Sequence, residues 1–189
     1  GGFSCDMDYV LKIAKKHNLM VVEDAAQAMM SSYKNKYLGT IGDIGCLSFH
    51  ETKNIISGEG GAILINNLDL IERAEVIREK GTDRKKFNRG EVDKYSWKDI
   101  GSSYLPGEIV AAFLFAQLEQ AHQITNNRKK IWDTYHEYCV NLPVIKNIRF
   151  STTHEYLNGN GHLFFLLLED LKSRNLFIDS MQASNISCV

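Results

Sequence analysis

An apolar, β-prone run from Ile44 to Phe49 breaks off at His50, and Lys53 follows it beside the glycine-rich turn Gly58-Glu-Gly-Gly61. The run has the length and composition of a buried strand. A lysine just past such a strand is well sited for chemistry, because the strand fixes its backbone while the side chain stays at the edge of the sheet. Upstream, Leu19-Met-Val-Val runs straight into Glu23 and Asp24. This predicts a second buried strand over 19–23, a parallel one, with a carboxylate at its C-terminal end. Ligands of open α/β sheets bind beyond the carboxyl ends of the strands. Asp24 and Lys53 are therefore expected to face one crevice from neighbouring or nearby strands.

That pair suits pyridoxal phosphate (PLP). A lysine amine takes the cofactor's aldehyde, and a carboxylate beside the ring nitrogen keeps it protonated, so that the ring can accept the electrons of a carbanion. Ser48 adds a hydroxyl that can donate to the phosphate. An Asp at one strand end and a Lys after another also occur in many α/β proteins that hold no cofactor, so the pair by itself leaves the plain structural reading open.

The surrounding chain alternates helices and strands. Asp6 caps a helix predicted over 7–17, with Met7, Val10, Leu11 and Ala14 on one face and Lys15, Lys16 and His17 at its C-terminal end. The Lys34-Asn-Lys36 segment reads as an exposed turn between two short strands. Gly39, Gly42 and Gly45 fit close backbone packing or ordinary turns equally well. The Gly58–Gly61 glycines lack the spacing of a Walker or dinucleotide fingerprint, and they read as a turn into a buried strand at Ala62–Ile65. Helical spacing recurs over 68–80, with Gly81 at the C-terminal cap, and a largely buried helix is expected over about 107–123. Asn126 and Asn127 are expected to break it from a second long helix beginning near Arg128, whose stripe Ile131, Trp132, Tyr135, Tyr138 and Cys139 reads as core. The helix ends around Asn141 to Pro143. Short strand-like pieces follow over 147–168, Leu163–Leu168 among them and Asn158-Gly-Asn-Gly161 separating them, and then a helix near 173–183.

The polar, basic and aromatic stretch 82–97 supports two readings. Arg84, Lys85, Lys86 or Arg89 can hold a nucleotide diphosphate with Phe87 against a base, or the segment is an ordinary solvated loop. His162 can likewise approach a substrate or serve the fold. With 22 Lys and Arg against 23 Asp and Glu, the net charge of −1 gives no reason to expect nucleic acid or an anionic membrane as partner. No run approaches the roughly 20 apolar residues of a membrane span, and no signal peptide opens the chain. The cysteines at 5, 46, 139 and 188 have neither close pairing nor metal-ligand spacing, which suggests reduced thiols in the cytoplasm and no metal site.

Glu23-Asp-Ala-Ala-Gln27, Gly39-Thr-Ile-Gly42, Ser48-Phe-His-Glu-Thr-Lys-Asn54 and Gly58-Glu-Gly-Gly61, taken together and in this order, resemble the DegT/DnrJ/EryC1/StrS sugar aminotransferases, PLP enzymes of fold type I. His50–Asn54, Ile77–Thr82, Val92–Tyr95 and Asp99–Leu105 resemble the subgroup that aminates dTDP-4-keto-6-deoxyglucose with L-glutamate. The resemblance implies an α/β chain that forms the central part of the aspartate aminotransferase-like large domain, over 1–142, and the start of the small C-terminal domain, over 143–189. It implies Lys53 as the cofactor lysine, Asp24 as partner of the ring nitrogen, Gln27 near the ring and Ser48 on the phosphate. Related sugar dehydratases have histidine in place of this lysine, so Lys53 favours amino transfer. Many family members carry Asn or Arg in the segment matching Ser103-Tyr104-Leu105, often given to the neighbouring subunit's phosphate site; here Ser103 or Tyr104 takes that place.

The resemblance further implies a homodimer with its active sites at the interface, a substrate loop that includes Arg84, and a role in cell-surface polysaccharide biosynthesis. It spans only the middle of a protein roughly twice as long, so a fragment is expected, and a chain too short to catalyse that acts only as a folded or dimerising module is the alternative. An unrelated doubly wound binding module remains if the motif matches are coincidental.

Overall fold

The computed structural model describes residues 1–142, 148–152 and 157–189. The first helix, α1 (Met7–His17), begins where the Asp6 carboxylate accepts from the Tyr9 N–H at 3.1 Å and stops at Asn18, whose left-handed backbone (φ 53°) turns its N–H onto the Ala14 carbonyl. The chain then enters β1 (Val22–Asp24), the short hairpin β2 (Ser32–Tyr33) and β3 (Lys36–Tyr37), and β4 (Ile44–Ser48). β4 pairs in parallel with β1, Asp24 standing opposite Cys46, and antiparallel with β5 (Gly61–Ile65), Ser48 standing opposite Gly61. The sheet order is β1-β4-β5, so the two expected strands are immediate neighbours.

Gly39 and Gly45 do serve close packing: a Cβ on Gly45 would collide with the backbone of Gly39. This tight approach folds the chain at Gly39 back against β4.

Beyond β5, a turn of 3-10 helix leads into α2 (Ile71–Arg78) and then α3 (Arg84–Asn88), so the solvated loop expected over 82–97 contains a short helix. Its cations engage acids of α2 and neighbouring acids, Lys86 with Glu72 and Arg89 with Glu75 at 2.9 Å and Glu91 at 2.6 Å, and its buried Asp83 takes Lys98, just beyond the stretch, at 3.3 Å. Two long helices follow, α4 (Glu108–Glu119) and α5 (Ala121–Asn141). The break between them falls at Gln120, not at Asn126–Asn127. Ala121 is buried and Ile124 packs beside it against Phe49 and Ile55, and that packing outweighs the weak helix preference of the two asparagines.

The C-terminal part contains β6 (Arg149–Phe150), β7 (Leu157–Asn158), β8 (Leu166–Leu167) and α6 (Leu171–Ala183). β6 pairs with β8, while β7 returns to pair antiparallel with β2. Of the strand-like pieces expected over 147–168, residues 147 and 153–156 lie outside the described residues, as does Pro143.

Two apolar clusters meet at Leu47 of β4. One joins Met7, Ala25, Ala28, Tyr33 and Leu38; the other joins Phe49, Ile55 and Ala121. Trp132 is buried, its Nε1 donating to the Leu163 carbonyl at 3.2 Å and its ring meeting Phe3 and Phe164 edge-on. Ile131, Tyr135 and Tyr138 of the same expected stripe are exposed. Three other burial expectations are also overturned: the strand expected to be buried at Ala62–Ile65 has no buried residue and leaves Ile63 51% exposed. Val22 is 60% exposed because the outward face of the edge strand β1 is uncovered, and α4, apolar on every side, leaves Ile109 88% and Phe115 63% exposed because only Leu114 is turned into the core.

Candidate active site

β1 ends on two carboxylates with different surroundings. Glu23 is buried, and its carboxylate accepts from the backbone N–H groups of Gly39 at 2.8 Å and of Ile41 and Gly42 at 2.6 Å. It clamps the 39–42 turn to the strand. Asp24, the next residue, is exposed, and among the described residues its Oδ1 accepts only from the Ala26 N–H at 3.1 Å.

The Lys53 loop joins β4 to β5 and is tied down along its base. Phe49 N–H donates to Gly60 at 2.9 Å, Ser57 N–H to Phe49 at 2.7 Å and Glu51 N–H to Gly58 at 2.8 Å. Gly58 and Gly60 take positive φ of 83° and 138°, which side chains disfavour, so these glycines serve the return of the chain. Phe49 and Ile55 are 5% and 1% exposed, and they anchor the loop on either side of the half-buried Lys53. The Lys53 N–H closes a turn onto the His50 carbonyl at 2.9 Å.

Asp24, Gln27, Ala28 and Lys53 line a single cleft of ≈ 430 Å³ together with Gly2 and Phe3. The floor is held by Asn160, only 1% exposed, whose Nδ2 donates to the carbonyls of Gln27 at 2.9 Å and Met29 at 2.8 Å while its Oδ1 accepts from the His162 N–H at 3.0 Å. Asn54 closes the network, its Nδ2 donating to the Asn160 carbonyl at 3.0 Å and its Oδ1 lying 2.9 Å from His162 Nδ1. Burial above all, and behind it the positive charges of Arg128 and Lys53, lower the His162 pKa to about 4.

Three of the residues singled out from sequence thus line one cleft, Asp24, Gln27 and Lys53, and His162 lies within electrostatic reach of Lys53. The others lie elsewhere. Ser48 is not in the lining; its Oγ accepts from the His50 N–H at 3.3 Å. Ser103 bridges to Glu79, the exposed Tyr104 donates its N–H to Arg78 at 3.2 Å, and Arg84 lies over the Tyr95 ring at 6.0 Å. The buried amides Asn54 and Asn160 were missed: Asn54 looked like one letter of a motif, and Asn160, between two glycines, looked like a turn. Among the described residues no cluster of His, Cys, Asp or Glu is placed to hold a metal, and no helix is long and apolar enough to cross a membrane.

The model of the DegT/DnrJ/EryC1/StrS aminotransferase family matches residues 1–189. The chain belongs to this family. Among its relatives, the GDP-perosamine synthase of Escherichia coli O157:H7 is 36% identical over 82% of this chain and 41% of its own length. The UDP-4-amino-4,6-dideoxy-N-acetyl-beta-L-altrosamine transaminase of Campylobacter jejuni is 31% identical over 89% of this chain and 43% of its own. Among solved structures, Helicobacter pylori PseC, an aminotransferase involved in the biosynthesis of pseudoaminic acid, superposes with a TM-score of 0.79 at 26% identity, over 96% of this chain and 47% of its own. The chain therefore spans about half the length of the curated family members it matches, and it shares their fold.

Proposed function

We propose that the protein carrying this chain is a PLP-dependent aminotransferase acting on a nucleotide-linked 4-keto-6-deoxy sugar, dTDP-4-keto-6-deoxyglucose in the first instance, with L-glutamate as amino donor. The observation that carries this reading is the shared cleft of Asp24, Gln27 and Lys53. Its volume falls within the roughly 300–1,000 Å³ of small-molecule sites, and an amine and a carboxylate on its walls are the donor set the cofactor needs at its aldehyde and ring nitrogen. When bound, PLP supplies an electron sink for charge at the donor's α-carbon and carries the amino group. In this reading Lys53 attaches the cofactor and moves the proton at the reacting carbon, Asp24 keeps the ring nitrogen protonated, and Gln27 packs beside the ring. Ser48 and Ser103 are proposed phosphate contacts, and Arg84, Tyr104 and His162 are proposed substrate contacts.

The same reading divides the chain after Leu142, with 143–189 beginning the small domain while β7 keeps it joined to β2. It assigns the exposed Ile109, Phe113 and Phe115 of α4 to contact with a second copy. It also suits the cytoplasm, where the four free cysteines stay reduced. The test is to incubate the full-length protein and its Lys53→Ala variant with PLP, L-glutamate and GDP-, UDP- and dTDP-linked 4-keto-6-deoxy sugars. Formation of an amino-sugar nucleotide and 2-oxoglutarate by the first alone supports the reading; equal turnover by the variant refutes it.

A further inference from the structure

Asn54 follows Lys53 directly, is 7% exposed, and uses both ends of its side-chain amide on one turn. The Asn160 carbonyl only accepts, so the amide nitrogen must face it, and this fixes the orientation of the amide. The amide oxygen is left for His162. An oxygen at 2.9 Å from Nδ1 accepts, so Nδ1 carries the ring proton and Nε2 keeps its lone pair. Among the described residues Nε2 has no hydrogen-bond partner.

The turn that holds the ring is rigid in its own right. Asn160 is saturated by Gln27, Met29 and the His162 N–H, and Arg128 Nη2 donates to the His162 carbonyl at 2.9 Å. His162 also packs behind the cleft wall, since a Cβ on Gly2 would lie 3.1 Å from its own Cβ. The charged side chains that reach the ring, Arg128 and Lys53, are both cationic. Together with burial they keep it neutral near pH 7.

We propose that Asn54 is a positioning residue that ties the Lys53 loop to the 160–162 turn and holds His162 in its Nδ1-protonated tautomer, leaving Nε2 as a proton-accepting group. The importance of that acceptor rests on the reading of Lys53 as the cofactor lysine; the tautomer itself does not. A neutral imidazole, unlike an imidazolium, adds no further positive charge to the field around the Lys53 amine.

The test is imidazole nitrogen NMR on full-length protein carrying ¹⁵N-histidine, with His162 assigned from its loss in His162→Gln. Wild type is expected to show protonated Nδ1 and bare Nε2 between pH 5.5 and 8. Asn54→Ala is expected to release the ring to the Nε2-protonated form, and Asn54→Asp to raise its titration midpoint by about 1–3 pH units through the new carboxylate. Protonated Nε2 in wild type, or an Asn54→Ala spectrum unchanged from it, overturns the proposal. The wild-type spectrum needs no variant to fold. Cofactor retention, measured separately on the same samples, distinguishes the two ideas: the expected tautomer in a protein that never retains PLP refutes the functional reading and, with it, the role given to Nε2.

Discussion

Glu23 and Asp24 are adjacent in β1 but do opposite things: Glu23 is buried under three backbone N–H groups of the 39–42 turn, and Asp24 is exposed in the wall of the Lys53 cleft. Strand alternation separates them, and their substitutions should separate too. Glu23→Ala leaves three buried or half-buried donors without an acceptor, which costs roughly 2–4 kcal/mol in stability. Urea unfolding should show that loss, with cofactor affinity at low denaturant little changed.

Asp24→Asn should leave the unfolding curve within about 0.5 kcal/mol of wild type, since the carboxylate supports little of the fold. Under the proposed function, turnover falls by about two orders of magnitude or more, because a neutral amide no longer favours the charged ring nitrogen. Steady-state kinetics beside the unfolding curve of the same preparation checks both halves.

Ile55 is 1% exposed, and it fixes the lysine loop from the inside. Ile55→Ala is expected to destabilise by about 2–5 kcal/mol through lost burial and a residual cavity. Ile55→Val should cost about 0.5–1.5 kcal/mol. A loss below that range for the alanine variant would mean that the loop is anchored elsewhere.

His162 gives the protein an acid limb. Its folded pKa, lowered to about 4 chiefly by burial, lies below the roughly 6.5 of an unfolded histidine. As pH falls the unfolded chain therefore binds this proton first. The contribution is complete above about pH 6.5 and is lost progressively down to about pH 4. Allowing for the ring's partial exposure, it amounts to roughly 1–2 kcal/mol. Urea unfolding at pH 7 and pH 5 should show a smaller drop for His162→Gln than for wild type; equal drops would contradict it.

Much of this was legible in the sequence because local signals and global packing agree. Asp6, the lysines at 15 and 16, and the apolar spacing between them specify α1 to the residue. The runs before Asp24 and Lys53 specify β1 and β4, and their parallel pairing brings both side chains to one end of the sheet. What was not legible depends on distant contacts. Asn126 and Asn127 remain helical because neighbouring Ile124 is packed against the lysine loop. Nothing near Asn160 signals that its amide will bridge Gln27 and Met29, more than a hundred residues earlier in the chain. Sequence does not say which of the adjacent carboxylates Glu23 and Asp24 faces inward; the structure buries Glu23 and exposes Asp24. Exposure of α4 was missed for a related reason: an all-apolar helix does not say what it is buried against.

The central claim is that Lys53 is the cofactor lysine of this cleft. Its most direct measurement is to load the full-length protein with PLP, desalt it, reduce it with borohydride and map the modified peptide. The account requires a phosphopyridoxyl group on Lys53, absent from a folded Lys53→Ala control. A label on another lysine, or no label on protein that is folded, would contradict it.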